Sequence, residues 1–295
     1  VIENGTIVVN GNRIEMIGPT AATTIPAGVR TIDATGKTII PGMIDVHWHG
    51  QMGSDEIVPQ QSATNYASLA YGVTTIHNPS SDNSEIFAAS EMAKAGIIVA
   101  PRIYSTGSIL YGATSGQTAP IDNLDDALGH LRRQQAIGAI SVKSYMLPRR
   151  EQRQQIIEAA AQTGMMVVPE GGSVFHQDMN MIVDGHTTIE HSIPQAVLYG
   201  DVHQLWKQSG VSHTPTLIVA YGGYFGEQYM YQRYNVWEDK RLLEYTPRRD
   251  LDARSRRREM IPADEDNVVS IARNEKKLAD LGVNPKGSGA DNIRN

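Results

Sequence analysis

Glycines recur along the chain in one setting, each after a stretch of helical character and directly before a short apolar run. They are Gly72, Gly96, Gly138, Gly164, Gly185 and Gly210, and Gly282 opens a weaker copy. A glycine in this place suits the left-handed residue that ends a helix before a strand begins. Most of the spacings are close to the ~30 residues of one βα unit. The pattern therefore predicts strands that alternate with helices.

Residues 42–47 add another apolar run, so the chain carries seven clear strands and a weak eighth. Near-continuous apolar strands that alternate with helices favour a parallel sheet covered by helices. Eight such units favour a TIM-like (β/α)8 barrel, an α/β fold that we predict over residues 41–295. Pro285 and nearby glycines make the eighth strand a poor one, so we expect the barrel to be incomplete at its C-terminal end.

The first forty residues have a different pattern, with short apolar runs and no helical stretch. Asn10-Gly11 joins the first two runs, and this dipeptide tolerates the positive φ angles of a tight hairpin turn. A third run ends at Ile40. Residues 1–40 are therefore predicted to be antiparallel strands of a partial small β-sandwich. Because the chain opens inside a predicted strand without an initiator methionine, we expect it to be part of a longer chain.

Residues 221–263 lie in the longest gap between predicted strands. They hold six of the twelve tyrosines and a run of arginines. A stretch of this length between barrel strands is typical of an active-site lid or an insertion. An arginine-rich segment of this kind more often forms a solvated face than an anion-binding site.

Charge and cysteine content restrict the partners and the chemistry. Lys+Arg number 26 against 32 Asp+Glu, a formal net charge of −6, which predicts no nucleic-acid partner and no binding to an anionic membrane surface. No window approaches the ~18 to 20 continuous apolar residues of a membrane span. The absence of cysteine removes disulfides, thiolate nucleophiles and Cys-type zinc sites, so any metal must be held by histidine, carboxylate or lysine-derived ligands. The compartment stays open.

Reacting groups of a βα barrel stand at the C-terminal ends of its strands, so the polar residues that close the predicted strands are candidates. They are His47, His49, His77, Tyr104, Lys143, Glu170, His191 and His213. The set is rich in imidazoles, and one metal site can explain several of them at once.

His47-Trp48-His49 is the most specific of these signals. Side chains alternate along a strand, so both imidazoles project to one side and can hold one ion, whereas the alternative is a surface strand with chance histidines. Lys143 is either a barrel-mouth lysine bound to an acid or a buried lysine that reacts with carbon dioxide, giving a carbamate that bridges metals. His191, with Glu190 beside it, is either a ligand or a satisfied core histidine.

The Pro-Gly-Met-Ile-Asp-Val-His-Trp-His segment, which ends at His49, resembles the amidohydrolase superfamily of metal-dependent hydrolases on a (β/α)8 barrel. The resemblance extends to the segment around His77, to Lys143 and to Ile189-Glu-His191. It implies that His47 and His49 bind a first metal, that Lys143 bridges as a carbamate, and that His191 binds a second metal. Glu170 stands where the family has a histidine, so the site is altered there and a single-metal site becomes plausible. Asp291 is the candidate for the family's aspartate, both ligand and general base.

The resemblance implies a hydrolase that cleaves C–N bonds of amides or cyclic amides through a metal-activated water, with one or two divalent ions, most simply zinc. The nearest branch in pattern is that of imidazolonepropionase and prolidase. The substrate is expected to be a small molecule or peptide-like, and assembly into a homo-oligomer stays open. Two alternatives stay open: a truncated or degenerate barrel that only binds, and a deaminase of the same superfamily.

Overall fold

The computed structural model describes residues 1–111, 118–145, 147, 149–170, 174–191, 193, 195, 197–216, 234–256 and 280. The chain divides into two compact units, Val1–Pro41 and Gly42–Asn295. Much of the predicted lid, together with Gly282, Pro285 and Asp291, lies outside the described residues. Within these ranges, no helix has the length and apolar character needed to cross a membrane.

The first unit contains a β-hairpin, formed by β1 (Gly5–Asn10) and β2 (Arg13–Pro19), which pair antiparallel. Gly11 lies in the turn with a φ of 60°, as the Asn10-Gly11 dipeptide predicts. A 3-10 turn over Thr20–Ala22 follows. The predicted third strand is wrong, because residues 23–41 take no strand conformation and Ile40 is exposed instead of pairing. The β-sandwich therefore stays a prediction.

The second unit is an α/β fold with parallel strands. One sheet has the order β3 (Met43–Asp45), β4 (Val73–Asn78), β5 (Arg102–Ser105). A second sheet contains β6 (Ile109–Tyr111), β7 (Thr118–Pro120), β8 (Ser141–Ser144) and β9 (Met166–Pro169) in the order β7-β6-β8-β9. A third pairs β10 (Thr188–Glu190) with β11 (Ser212–Thr214).

Helices separate most of these strands, as the sequence predicts. They are α1 (Ala63–Ala70), α2 (Asn83–Lys94), α3 (Leu124–Ala136), α4 (Arg150–Thr163), α5 (Phe175–Asp184), α6 (Gly200–Ser209), α7 (Lys240–Tyr245) and α8 (Arg248–Arg256). The Asn123 side chain caps α3 by accepting from the backbone N–H of Asp126. The six predicted helix-stopping glycines before β4 to β11 all have positive φ angles, between 70° at Gly164 and 102° at Gly138.

Two strands depart from their predicted positions. The strand after Gly96 begins only at Arg102, and the backbone N–H of Ile97 still donates to the Met92 carbonyl of the preceding helix, at 2.9 Å. β3 ends at Asp45 and does not include His47, since the Asp45 carboxylate accepts the backbone N–H of His47 at 3.1 Å. Such a side-chain bond competes with strand pairing. The short strands β6 and β7 were not expected from the sequence.

Buried apolar side chains line the helix-facing side of the strands. Leu110, Val142 and Ile156 belong to one cluster between β6, β8 and α4, and Ile189 and Trp206 belong to another between β10 and α6. β8 is buried along its whole length although it contains two serines and a lysine. The candidate site residues therefore lie among the buried polar side chains of these strands.

Candidate metal centre

The His47–His49 segment runs directly beyond β3 and is fixed to the neighbouring strand. The backbone N–H of Trp48 donates to the His77 carbonyl at 3.0 Å, and the buried indole of Trp48 donates to the Ser68 hydroxyl at 3.2 Å. With Trp48 packed into the core, the rings of His47 and His49 meet with their centroids 4.8 Å apart. The predicted strand alternation is wrong in detail, yet the two imidazoles are adjacent.

Lys143, in the middle of β8, has a side chain with no exposed surface. Its Nζ lies 2.6 Å from Oε2 of Glu170, which directly follows β9. The two strands bring these groups together because Lys143 is in register with Val168, and the backbone N–H of Glu170 donates to the Ser144 carbonyl at 3.3 Å. The lysine–acid pair, one of the two interpretations that the sequence left open for Lys143, is therefore present.

Glu170 also contacts the next ligand candidate, since its Oε1 lies 3.1 Å from Nε2 of His191. Burial works to raise the pKa of Glu170. The hydrogen bond from His191 and the charge and hydrogen bond of Lys143 outweigh burial, so the pKa falls well below its ordinary value. Glu170 is therefore a carboxylate at neutral pH, as a metal ligand must be.

His191 is held in an unusual backbone conformation, with a φ of 67°. Positive φ is uncommon for a residue other than glycine and persists where the surroundings fix it. Its backbone N–H donates to the Thr214 carbonyl at 2.9 Å, and its own carbonyl accepts from Nε2 of His213 at 2.9 Å. Nδ1 lies 2.9 Å from the Thr216 hydroxyl, so the ring is oriented from both sides.

Three of these side chains form a group with metal-ligand character. His47, Glu170 and His191 each offer one ligand atom, and these atoms lie within 4.8 Å of one another. Burial, first among several causes, lowers the pKa of His47. The neutral imidazole that results is the form that binds zinc and similar ions.

His49 lies beside this group, at the exposed mouth. Desolvation of the ring by the surrounding protein, followed by its electrostatic interactions with His47 and Lys143, lowers the pKa of His49 to about 4. Its imidazole is therefore neutral at pH 7 and available to an ion. Asp291, the candidate general base, lies outside the described residues.

Glu190 completes the surroundings of His47, a role that the sequence did not assign. Its Oε2 lies 2.7 Å from Nδ1 of His47, and its Oε1 accepts the Thr188 hydroxyl at 2.5 Å. Burial alone would raise the pKa of Glu190, but the His47 and Thr188 hydrogen bonds hold it below its ordinary value. The acid before His191 was visible in the sequence, whereas its contact with a residue 143 positions away was not.

Other candidates from the strand ends are structural in this arrangement. The buried His77 ring contacts the Val46 carbonyl at 3.1 Å and the Ser141 hydroxyl at 2.7 Å, so both its nitrogens have protein partners. His213 supports the His191 carbonyl. Tyr104 of β5 is in register with His77 of β4 and does not belong to the group of His47, Glu170 and His191.

The residues present fit a divalent ion. The donor set combines two imidazoles and one carboxylate, which is a ligand set of zinc sites. Nε2 of His47 is buried and has no hydrogen-bond partner among the described residues, although buried polar atoms are normally paired. An ion at this group would satisfy that nitrogen.

No protein-family model matches the chain. Among curated proteins, a dihydroorotase of Trichlorobacter lovleyi is 26% identical over 189 residues, 62% of this chain and 42% of that protein. An imidazolonepropionase of Arthrobacter sp. is 32% identical over 78 residues, 25% of this chain and 19% of that protein. An adenine deaminase of Paracoccus denitrificans is 34% identical over 80 residues, 27% of this chain and 13% of that protein. The chain thus spans less than half the length of these relatives.

Solved structures share the fold. A Xaa-Pro dipeptidase matches with a TM-score of 0.57 at 15% identity, covering 97% of this chain and 75% of that one. A protein described as an amidohydrolase matches with a TM-score of 0.62 at 15% identity, covering 99% of this chain and 77% of that one. Together the curated relatives and the shared fold point to the amidohydrolase superfamily.

Proposed function

We propose that this chain is the metal-binding barrel of a hydrolase that cleaves the C–N bond of an amide or a cyclic amide. The observation that carries the proposal is the group of His47, Glu170 and His191, whose ligand atoms lie within 4.8 Å of one another in the strand ends of an α/β fold. The names of the curated relatives, dihydroorotase and imidazolonepropionase, support a small cyclic amide as the substrate class.

In the proposed site, His47, Glu170 and His191 hold one divalent ion, with zinc favoured by the mixed nitrogen and oxygen donors. His49 adds a further imidazole from the mouth. When bound, such an ion polarises a carbonyl group and lowers the pKa of water to about 7. Asp291 remains the candidate general base, which would accept a proton from the attacking water.

Lys143 has two proposed states that differ in charge. As an ammonium, it neutralises Glu170 at 2.6 Å and cannot bind a cation. As a carbamate, it would place a negative charge beside the Glu170 carboxylate, an arrangement that only a nearby cation makes favourable. We therefore propose that the ammonium accompanies a one-ion site and that the carbamate forms only with a second ion.

A deaminase is the second candidate, supported by the local match to an adenine deaminase. It would use nearly the same ligands on an amino-substituted ring. A barrel that binds without turnover is the third, since Glu170 stands in a position where the resemblance implies histidine. A homo-oligomer also stays a prediction.

The test is a substrate comparison on zinc-loaded protein. Dihydroorotate, imidazolone propionate and an N-acyl amino acid represent amides, and adenine represents a deaminase substrate. We expect turnover of an amide that His191→Asn abolishes, because this variant removes the imidazole while asparagine tolerates a positive φ. His176→Asn, at an exposed histidine of α5, is the matched control and should keep parent turnover. Ammonia release from adenine without amide turnover would favour the deaminase, and no turnover of any substrate would favour the binding role.

A further inference from the structure

A buried carboxylate is bound to the ring of His47 on the side away from its unpartnered nitrogen. The side chains of His47 and Glu190 are 4% and 2% exposed, and Oε2 of Glu190 lies 2.7 Å from Nδ1 of His47. The second oxygen of Glu190 accepts the Thr188 hydroxyl. Both carboxylate oxygens are thus engaged, and the carboxylate is fixed in the strand end of β10.

This contact determines which nitrogen of His47 carries the proton. A carboxylate accepts hydrogen bonds, so Nδ1 of a neutral His47 must be the N–H donor. Nε2 then keeps its lone pair. That atom is buried without a hydrogen-bond partner in the described part of the chain, while His47 shares the ligand group with Glu170 and His191.

Two other buried histidines, His77 and His186, differ from His47 in their partners. His77 has a carbonyl at Nδ1 and the Ser141 hydroxyl at Nε2. His186 likewise has the Met181 carbonyl at Nδ1 and the Ser144 hydroxyl at Nε2, at 3.1 and 3.3 Å. In both of these rings, the two nitrogens have protein partners. His47 instead has a carboxylate at one nitrogen and an unpartnered atom at the other.

We propose that Glu190 is a positioning residue, which fixes the Nδ1–H tautomer of His47 and directs Nε2 toward a divalent ion bound with Glu170 and His191. This inference rests on the proposed metal site. A carboxylate partner also raises the basicity of a ligating imidazole, and losing such a partner typically weakens metal binding by about 10- to 100-fold. Thr188 acts one step further out, by holding the carboxylate.

The experiment measures zinc affinity by competition with a chelator for the parent, Glu190→Gln and Glu190→Leu. Glutamine keeps the size and an acceptor oxygen but loses the charge, whereas leucine loses both. We expect weakening of about 10- to 100-fold for leucine and a smaller loss for glutamine. The matched control is Ser141→Ala, which removes the hydroxyl partner of the buried His77 and should leave zinc affinity at the parent value.

A second readout works without metal. Nitrogen-15 NMR of histidine-labelled, metal-free protein reports the tautomer, which should be Nδ1–H at His47 in the parent and mixed in Glu190→Leu. Parent affinity in both Glu190 variants, or an unchanged tautomer in the leucine variant, would overturn the role of Glu190. A parent that binds no zinc would instead overturn the proposed function, and the tautomer would still decide the positioning of His47. If the leucine variant does not fold, affinity and tautomer in the glutamine variant decide.

Discussion

The hairpin of β1 and β2 exposes apolar side chains, whereas the strands β8 and β10 bury charged ones. In the hairpin, Val9 is 61% exposed and Ile14 is 63% exposed, although both are apolar. In β8 and β10, the charged side chains of Lys143 and Glu190 are 0% and 2% exposed. Burying a charge is unfavourable unless it is paired. The buried charges of β8 and β10 are paired. The contrast with the hairpin indicates that chemistry, and not packing alone, determines which residues occupy these strand ends.

The largest expected effect comes from breaking a buried pair. Glu170→Gln leaves the ammonium of Lys143 buried without its counter-charge, and removing one partner of a buried ion pair typically destabilises by about 3–5 kcal/mol. The matched control is Glu91→Gln, because the Lys94–Glu91 pair has the same kind of groups at 2.7 Å with side chains 66% and 74% exposed. Exposed pairs contribute about 0–1 kcal/mol.

Urea unfolding of metal-free protein at pH 7 measures both variants. Equal losses of unfolding free energy in Glu170→Gln and Glu91→Gln would contradict the contrast between the buried and the exposed pair.

The pH dependence of stability should come next in size. Burial, first among the causes, lowers the pKa of His77 and that of His186 to about 4, against an ordinary value of 6.5. Between pH 6.5 and about 4, the unfolded chain binds these protons and the folded chain does not, so the free energy of unfolding decreases as the pH falls. The gap corresponds to roughly 3 kcal/mol for each histidine by pH 4.

Urea unfolding at several pH values checks this expectation with His186→Asn. The variant should lose less unfolding free energy than the parent between pH 7 and pH 4. Identical pH dependence in the two proteins would mean that His186 is not held neutral by the fold.

The smallest effect concerns one methylene group in the two regions. Ile156→Val, at a fully buried position of α4, should destabilise by about 0.5–1.5 kcal/mol because it leaves a small cavity. Ile14→Val, in the exposed face of β2, should stay within about 0.5 kcal/mol of the parent. Thermal unfolding distinguishes them. A loss in Ile14→Val as large as that in Ile156→Val would show that the hairpin residue is buried in solution.

The repeated units were predictable because their signals are local. A glycine that must take a positive φ stops each helix, and Asn123 caps α3 through a residue three positions away. The end of β3 was not predictable from apolar pattern, because the Asp45 side chain captures the backbone N–H of His47. Propensity alone does not weigh such a bond against strand pairing.

In the candidate site, too, local signals were predictable and long-range contacts were not. His47, Lys143, Glu170 and His191 were candidates because each lies at or near the end of a predicted strand, and parallel strands bring their ends to one edge. The role of Glu190 was missed because its partner His47 is distant in sequence. The left-handed conformation of His191 has no sequence signal either, since it is imposed by bonds to Thr214 and His213.

The central claim is that His47, Glu170 and His191 hold a divalent ion, and zinc binding tests it most directly. Titration calorimetry with zinc, run on metal-free parent, His47→Ala and His191→Asn, gives stoichiometry and affinity in one measurement. We expect at least one zinc ion for each parent chain and loss of that binding in both variants, while His176→Asn keeps it. Equal zinc stoichiometry and affinity in the parent, His47→Ala and His191→Asn would contradict it.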